Sequence, residues 1–284
     1  MGQMRIAVFP NVDKPNAGAV LDGIFRFFSE RDVQLMLPMH EARFFGCAET
    51  YGVENIEQEP ADMALSLGGD GTLLGVCHRY GRNEVPVCGI NIGTLGFMAD
   101  IELDELEDRL EKILVGGYYI EQRLLLAGFV KSKGREHFLG NAINDVVVTK
   151  GGMARMLRLG LSINETHLMD YKADGIIVAS PTGSTAYSLS AGGPIMNPTI
   201  QALLVTPICA HTFNMRPLVV NEHDVIHIHI AAVHQDILVT FDGQESFHLL
   251  PGDEIVVRKA QQSARIVKFE DQDYYRILRT KLWN

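Results

Sequence analysis

The feature that most constrains the fold of this 284-residue chain is a change of rhythm near residue 117. Before it, short apolar runs alternate with helical patterns. The spacing predicts strands at residues 5–9, 33–37, 63–67 and 85–90. Helices are predicted where apolar side chains recur every three or four positions: Ala17, Val20, Leu21, Ile24, Phe25 and Phe28 after Pro15, then residues 72–80, then 103–114. Strands alternating with helices need crossover connections and hence a largely parallel sheet. After Gly116-Gly117 the helical patterns nearly vanish. Residues 118–130 and 137–149 read as one long hairpin about a Lys-Ser-Lys-Gly-Arg turn. Residues 156–164, 176–179, 225–230, 237–241, 254–258 and 264–269 read as further strands, at a spacing that indicates an antiparallel sandwich. Helical spacing returns at 272–282. The expectation is an α/β domain over 1–117, an all-β, sandwich-like domain over 118–270, and a closing helix in 271–284 that packs back on the first domain.

Charge narrows the partners. Asp and Glu total 35 against 25 Lys and Arg, a net charge of −10 that repels nucleic acid and anionic membranes. No apolar run approaches the ~18 residues of a membrane span. The N-terminus reads as a first strand and not as a secretory signal. Cys47, Cys77, Cys88 and Cys209 show no CxxC spacing, and Cys77 and Cys88 lie in apolar segments. Unpaired thiols of this kind suit a reducing cytoplasm.

Of the 27 glycines, many cluster where chemistry is expected. The predicted strand at 63–67 runs into Gly68-Gly69-Asp70-Gly71-Thr72 and then a helix. Glycines at a strand end let the backbone approach a ligand, and the helix N-terminus favours phosphate. A Walker A loop is excluded because Gly-Lys never occurs, and GxGxxG fails at Leu74. Asp70 is the odd member. It is either an ordinary Asp-Gly turn residue or an acid with a task, such as accepting a proton from a hydroxyl nucleophile or steering Mg²⁺. The next strand ends in a second cluster, Asn91-Ile92-Gly93-Thr94-Leu95-Gly96-Phe97, where Phe97 is either core or a stacking surface for a base. A third cluster, residues 174–194, carries a strand into a dense run of hydroxyls and glycines, either an ordinary Ser/Thr-rich turn with an N-cap or a site suited to ribose or pyrophosphate. Two clusters in the first domain and one in the second predict a site between them. Asn144-Asp145 interrupts an apolar strand, as a bulge or a polar site does. His227 and His229 share one strand face, which fits either zinc ligation or a plain solvent face. No GxSxG elbow surrounds Ser184 or Ser188.

Taken together, Gly68 through Thr72, Asn91 through Phe97, Asn144-Asp145, the 174–194 stretch and the closing Tyr275 to Trp283 segment resemble the NAD kinases. These enzymes phosphorylate the adenosine-ribose 2′-hydroxyl of NAD to give NADP. The glycine loop alone is shared with diacylglycerol-type lipid kinases; a lipid kinase and a non-enzymatic dinucleotide sensor are therefore the competing readings. The resemblance implies that Asp70 is the proton acceptor, with Gly71 beside the dinucleotide and Gly68, Gly69, Thr72 and Phe97 completing the phosphate loop. It implies that Asn144 and Asp145 contact the adenosine, as do Thr185, Ala186, Tyr187, Ser188, Leu189 and Ser190, and that Asp174 meets the nicotinamide end. Arg155, Lys172 and Gln244 fall where similar proteins place further substrate contacts. Also implied are ATP or another phosphoryl donor, a divalent cation (Mg²⁺ carried with the nucleotide), and a homodimer or homotetramer. Ala210 and the position of Trp283 depart from the family pattern without touching the chemistry.

Overall fold

The structure, a computed structural model, describes residues 3–80, 85–93, 96–152, 155–211, 215–231 and 236–283. Thr94 and Leu95 of the second glycine cluster lie outside them. The chain divides into two units, residues 1–122 with 264–284, and residues 123–263.

In the first unit, parallel strands lie in the order Gly52–Val53, Val33–Pro38, Met4–Pro10, Met63–Gly68, Val87–Asn91. Met63–Gly68 is central and wholly buried, as its unbroken apolar run requires. The helix Ala17–Phe28 buries Ala17, Val20, Leu21, Ile24 and Phe28 against this sheet. The predicted helix at 103–114 begins instead with a 3₁₀ turn, Leu103–Glu105, and becomes α-helical at Leu106–Leu114. Two short helices, Met39–Phe44 and Ala48–Tyr51, carry too few turns for periodicity to reveal them. The closing helix, Tyr274–Leu282, belongs to this unit, and Lys281 Nζ lies 4.3 Å from the centroid of the Phe97 ring.

The second unit is antiparallel. One sheet runs Leu218–Asn221, Ala202–Ile208, Gly175–Ala179, Asp145–Lys150, Ile237–Phe241, Glu245–His248. A second layer pairs Thr166–Ala173 with Leu157–Ile163, and the latter with Ile226–Ile230. Val146, Val148 and Val239 from the first sheet and Leu159, Ile226 and Ile228 from the second share one core. This is sheet-on-sheet packing.

Three differences from the sequence reading have physical causes. The hairpin is shorter: Tyr119–Ser132 pairs with Arg135–Ala142 around Lys133 and Gly134, both at positive φ, and Asp145–Lys150 then joins the other sheet. The expected strands 254–258 and 264–269 are one strand, Glu254–Lys268, because no Gly or Pro interrupts them. Its early residues pair with Ile226–Ile230 and Ile266 pairs with Val87, so the unit boundaries fall at 122 and 264 instead of 117 and 270. Thr166–Ala173 shows no apolar alternation because as an edge strand it exposes most of its side chains.

Candidate active site

The first glycine cluster sits where the buried strand Met63–Gly68 emerges from the sheet. The helix starts at Asp70, two residues earlier than the spacing predicts, so Asp70 stands in its first turn, where an anionic side chain is favoured. Leu73, Leu74, Val76, Cys77 and Tyr80 anchor that helix in the core. The turn is tightly determined. A Cβ on Gly68 would overlap the Thr72 side chain, and Thr72 Oγ1 accepts from Asn11 Nδ2 at 2.9 Å. Gly69 and Gly71 have open space where their side chains would be, so the backbone there is approachable.

The Asp70 carboxylate accepts two backbone hydrogen bonds, from Phe97 N–H at 2.7 Å and Met98 N–H at 3.0 Å. A side chain on Gly96 would overlap Asp70 Oδ1. The first and second glycine clusters therefore meet at one carboxylate held in one orientation. Asn91 contributes to the turn itself: its amide donates to Glu102 and its oxygen accepts from Gly93 N–H. On the outer side of the loop, a cavity of about 360 Å³ is bordered by Asn11, His40, Gly71, Thr72, Gly75 and Arg79.

In the second unit the polar pair also has a cause. Asp242 takes three backbone N–H groups on its carboxylate: Ile143 at 2.8 Å, Asn144 at 2.7 Å and Asp145 at 2.9 Å. That capture turns the chain out of one sheet and into the other. Asp145 is buried, and burial together with the Asp242 charge pushes its carboxyl up to about 7, although the Tyr187 N–H bonded to it acts in the opposite direction. Asn144, Asp145 and Tyr187 are thus neighbours. The third glycine cluster packs on them: Ser180 N–H donates to Asn144 C=O at 2.9 Å, and a Cβ on Gly183 would overlap that same carbonyl.

Several hydroxyls of the dense run are structural. Ser184 Oγ binds Pro181 C=O at 2.7 Å and accepts from Met196 N–H, and the fully buried Ser188 is hydrogen-bonded to Thr206 at 2.8 Å. The Ser188 hydroxyl therefore faces the core. Tyr187 and Ser190 are exposed, while Thr185, Ala186 and Leu189 are half-buried. Gln244 is exposed two residues beyond Asp242 in the same turn. Asp174 is paired with Lys150 at 2.8 Å. It lies beyond the far end of the strand pair in which Ala179 opposes Asp145, roughly 17 Å away by strand rise. Arg155 and Lys172 are exposed. The histidine pair points away from the core, with His227 Nδ1 2.6 Å from Glu254. Two residues escaped the sequence reading. Asp242 was hidden in an Asp-Gly turn signal, and Arg123, buried and bonded to Thr182 at 3.2 Å, had no motif around it.

The chain also matches known proteins along most of its length. Residues 15–118 match the family model of the ATP-NAD kinase N-terminal domain, and residues 143–269 that of the ATP-NAD kinase C-terminal domain. The second match extends well beyond the glycine loop that lipid kinases share. An NAD kinase of Moorella thermoacetica is 42% identical over 98% of this chain and 89% of its own length. One from Geotalea daltonii is 37% identical over 98% of both chains. Among solved structures, yeast NADH kinase complexed with NADH superposes with a TM-score of 0.90 at 26% identity, over 99% of this chain and 88% of that one. An Archaeoglobus fulgidus NAD kinase in complex with ATP gives 0.75 at 25% identity over 97% of both. The chain belongs to the NAD kinase family.

Proposed function

We propose that this protein transfers a phosphoryl group from ATP to the adenosine-ribose 2′-hydroxyl of NAD, with Asp70 as proton acceptor. The observation that carries the reading is the doubly hydrogen-bonded Asp70 carboxylate at a glycine-lined helix start. Phosphoryl transfer asks mainly for positioning and charge stabilisation, and a carboxylate fixed by two N–H groups can accept a proton at a defined point. Each oxygen keeps a lone pair for the ribose hydroxyl after its one backbone bond. The open space at Gly69 and Gly71 suits phosphate oxygens, and the cavity bordered by Gly71, Thr72 and Arg79 adjoins that loop. Gly68 and Thr72 hold that loop, and Phe97 flanks it.

Asn144 and Asp145 read the adenosine, with the Tyr187 and Ser190 side chains and the Thr185, Ala186 and Leu189 segment around them. Ser188 contributes by holding the segment to Thr206. Asp174 takes the nicotinamide end, and a dinucleotide is long enough to bridge from Asp145 toward it. Arg155, Lys172 and Gln244 are further contacts at the rim. Among the described residues no group of three His, Cys, Asp or Glu forms a cation cage. A divalent cation would be held chiefly through substrate phosphates, with Asp70 as the carboxylate of the glycine loop. When bound, the cation would offset charge on the phosphoryl oxygens. A homodimer or homotetramer in the cytoplasm completes the proposal; sedimentation and fractionation test those two parts.

The test of the reaction is a coupled assay with ATP-Mg²⁺ and either NAD or diacylglycerol, run on the parent and on Asp70→Asn. Phosphate should appear on NAD alone, and the variant should lose roughly 10²–10⁴-fold in turnover while binding NAD within about threefold of the parent. Near-parental turnover of Asp70→Asn removes Asp70 from the chemistry.

A further inference from the structure

Asp70 is held by peptide groups of residues 97 and 98, and those residues belong to no helix or strand. Their conformation therefore depends on tertiary contacts. Lys268, the last residue of the Glu254–Lys268 strand, supplies one. Its side chain is buried, donates to Met98 C=O at 3.3 Å, and forms an ion pair with the buried carboxylate of Asp100. Met98 is thus gripped at both ends, its N–H by Asp70 and its C=O by Lys268. Asp100 is fixed in turn: its N–H donates to Gly89 C=O at 3.2 Å, and its C=O accepts from Gln272 Nε2 at 3.2 Å.

We propose that Lys268 and Asp100 are a positioning pair for Asp70, an inference that rests on Asp70 being the proton acceptor. The ammonium bonds both the Met98 carbonyl and a side chain two residues further on. It therefore clamps the 98–100 turn that aims two N–H groups at the carboxylate. A buried ion pair stabilises a fold little compared with a well-packed apolar pair, but it does fix geometry. Being neutral as a unit, the pair acts on Asp70 through the backbone it holds and not through a net field. Nothing in the glycine loop announces Lys268, which reaches the loop only because its strand runs alongside Val87–Asn91.

The test is Lys268→Met combined with Asp100→Asn, which removes both charges at similar volume, made in the parent and in Asp70→Asn. In the parent, kcat should fall roughly 10–100-fold with KM for NAD and ATP within about threefold. In Asp70→Asn, the same pair of substitutions should change the residual kcat by less than about twofold, because no base remains to be misplaced. Equal losses in both backgrounds would mean a general structural role and overturn the proposal. So would an unchanged kcat in the parent. Lys268→Arg serves if the neutral pair fails to fold: it keeps the charge, but its wider fork displaces Met98, so kcat drops with KM held, and an unchanged kcat again overturns the proposal. Full turnover of Asp70→Asn alone is the separate outcome that removes the underlying reading.

Discussion

Replacing Asp242 by Asn should unfasten the segment that carries Asn144 and Asp145. In the parent, Asp242 Oδ1 accepts from Asn144 and Asp145, and Oδ2 accepts from Ile143. An Asn side chain keeps one carbonyl oxygen, which can still take two N–H groups. Its amide NH₂ then faces the N–H of Ile143, a buried residue with no water to turn to. Leaving a buried donor unsatisfied costs about 1–3 kcal/mol, and two bonds lose their charge assistance at roughly 1 kcal/mol each. Relief of repulsion between Asp242 and Asp145 offsets part of this. A net loss of about 2–4 kcal/mol should lower the melting temperature of the second unit by roughly 5–15 °C. Circular dichroism melts at pH 8 measure that, and calorimetric titration with NAD reports the accompanying loss of affinity. A variant melting within about a degree of the parent, with unchanged NAD affinity, would refute the claim that Asp242 holds the segment.

Further outcomes follow from the same geometry. Asp145 titrates near 7 when folded but near ~4 when unfolded, so the unfolded chain ionises first as pH rises and stability falls between those values. Asp145→Asn should remove that decline, whose ceiling is roughly 4 kcal/mol, and parallel melting profiles for parent and variant from pH 4 to 8 would contradict it. Gly96→Ala drives a methyl into Asp70 Oδ1 and should cut kcat by about 10²-fold or more, whereas Gly23→Ala, with open space in the Ala17–Phe28 helix, should leave it unchanged. Burial pushes the Cys88 thiol far above its ordinary value, so iodoacetamide on the native protein should label exposed Cys209 and spare Cys88, as peptide mapping will show.

Much of this protein is legible in its sequence because the relevant signals are local. Apolar periodicity marks the helix Ala17–Phe28 and the strand Met63–Gly68, since each buries one face or both against neighbours. Glycines at Gly68, Gly96 and Gly183 stand out because the chain passes too close to another group for a Cβ to fit. What they approach is a different matter. That Gly96 faces the Asp70 carboxylate and Gly183 the Asn144 carbonyl depends on segments brought together from separate stretches of chain. The same holds for the hydroxyl-rich run. Its composition suggests a ligand, yet only packing distinguishes Ser184 and Ser188, bonded into the core, from the exposed Ser190.

The sequence by itself determined the alternating and then all-β architecture, the glycine loop and its acid, and the polar break at Asn144-Asp145. Only the tertiary structure decided how those acids are held. Asp70 is oriented by Phe97 and Met98, Met98 by Lys268, and Asn144-Asp145 by Asp242. The physical reason is range. Burial patterns and backbone strain are written into neighbouring residues, whereas the hydrogen bonds that fix these segments come from residues distant in sequence, whose identity means little until the fold closes.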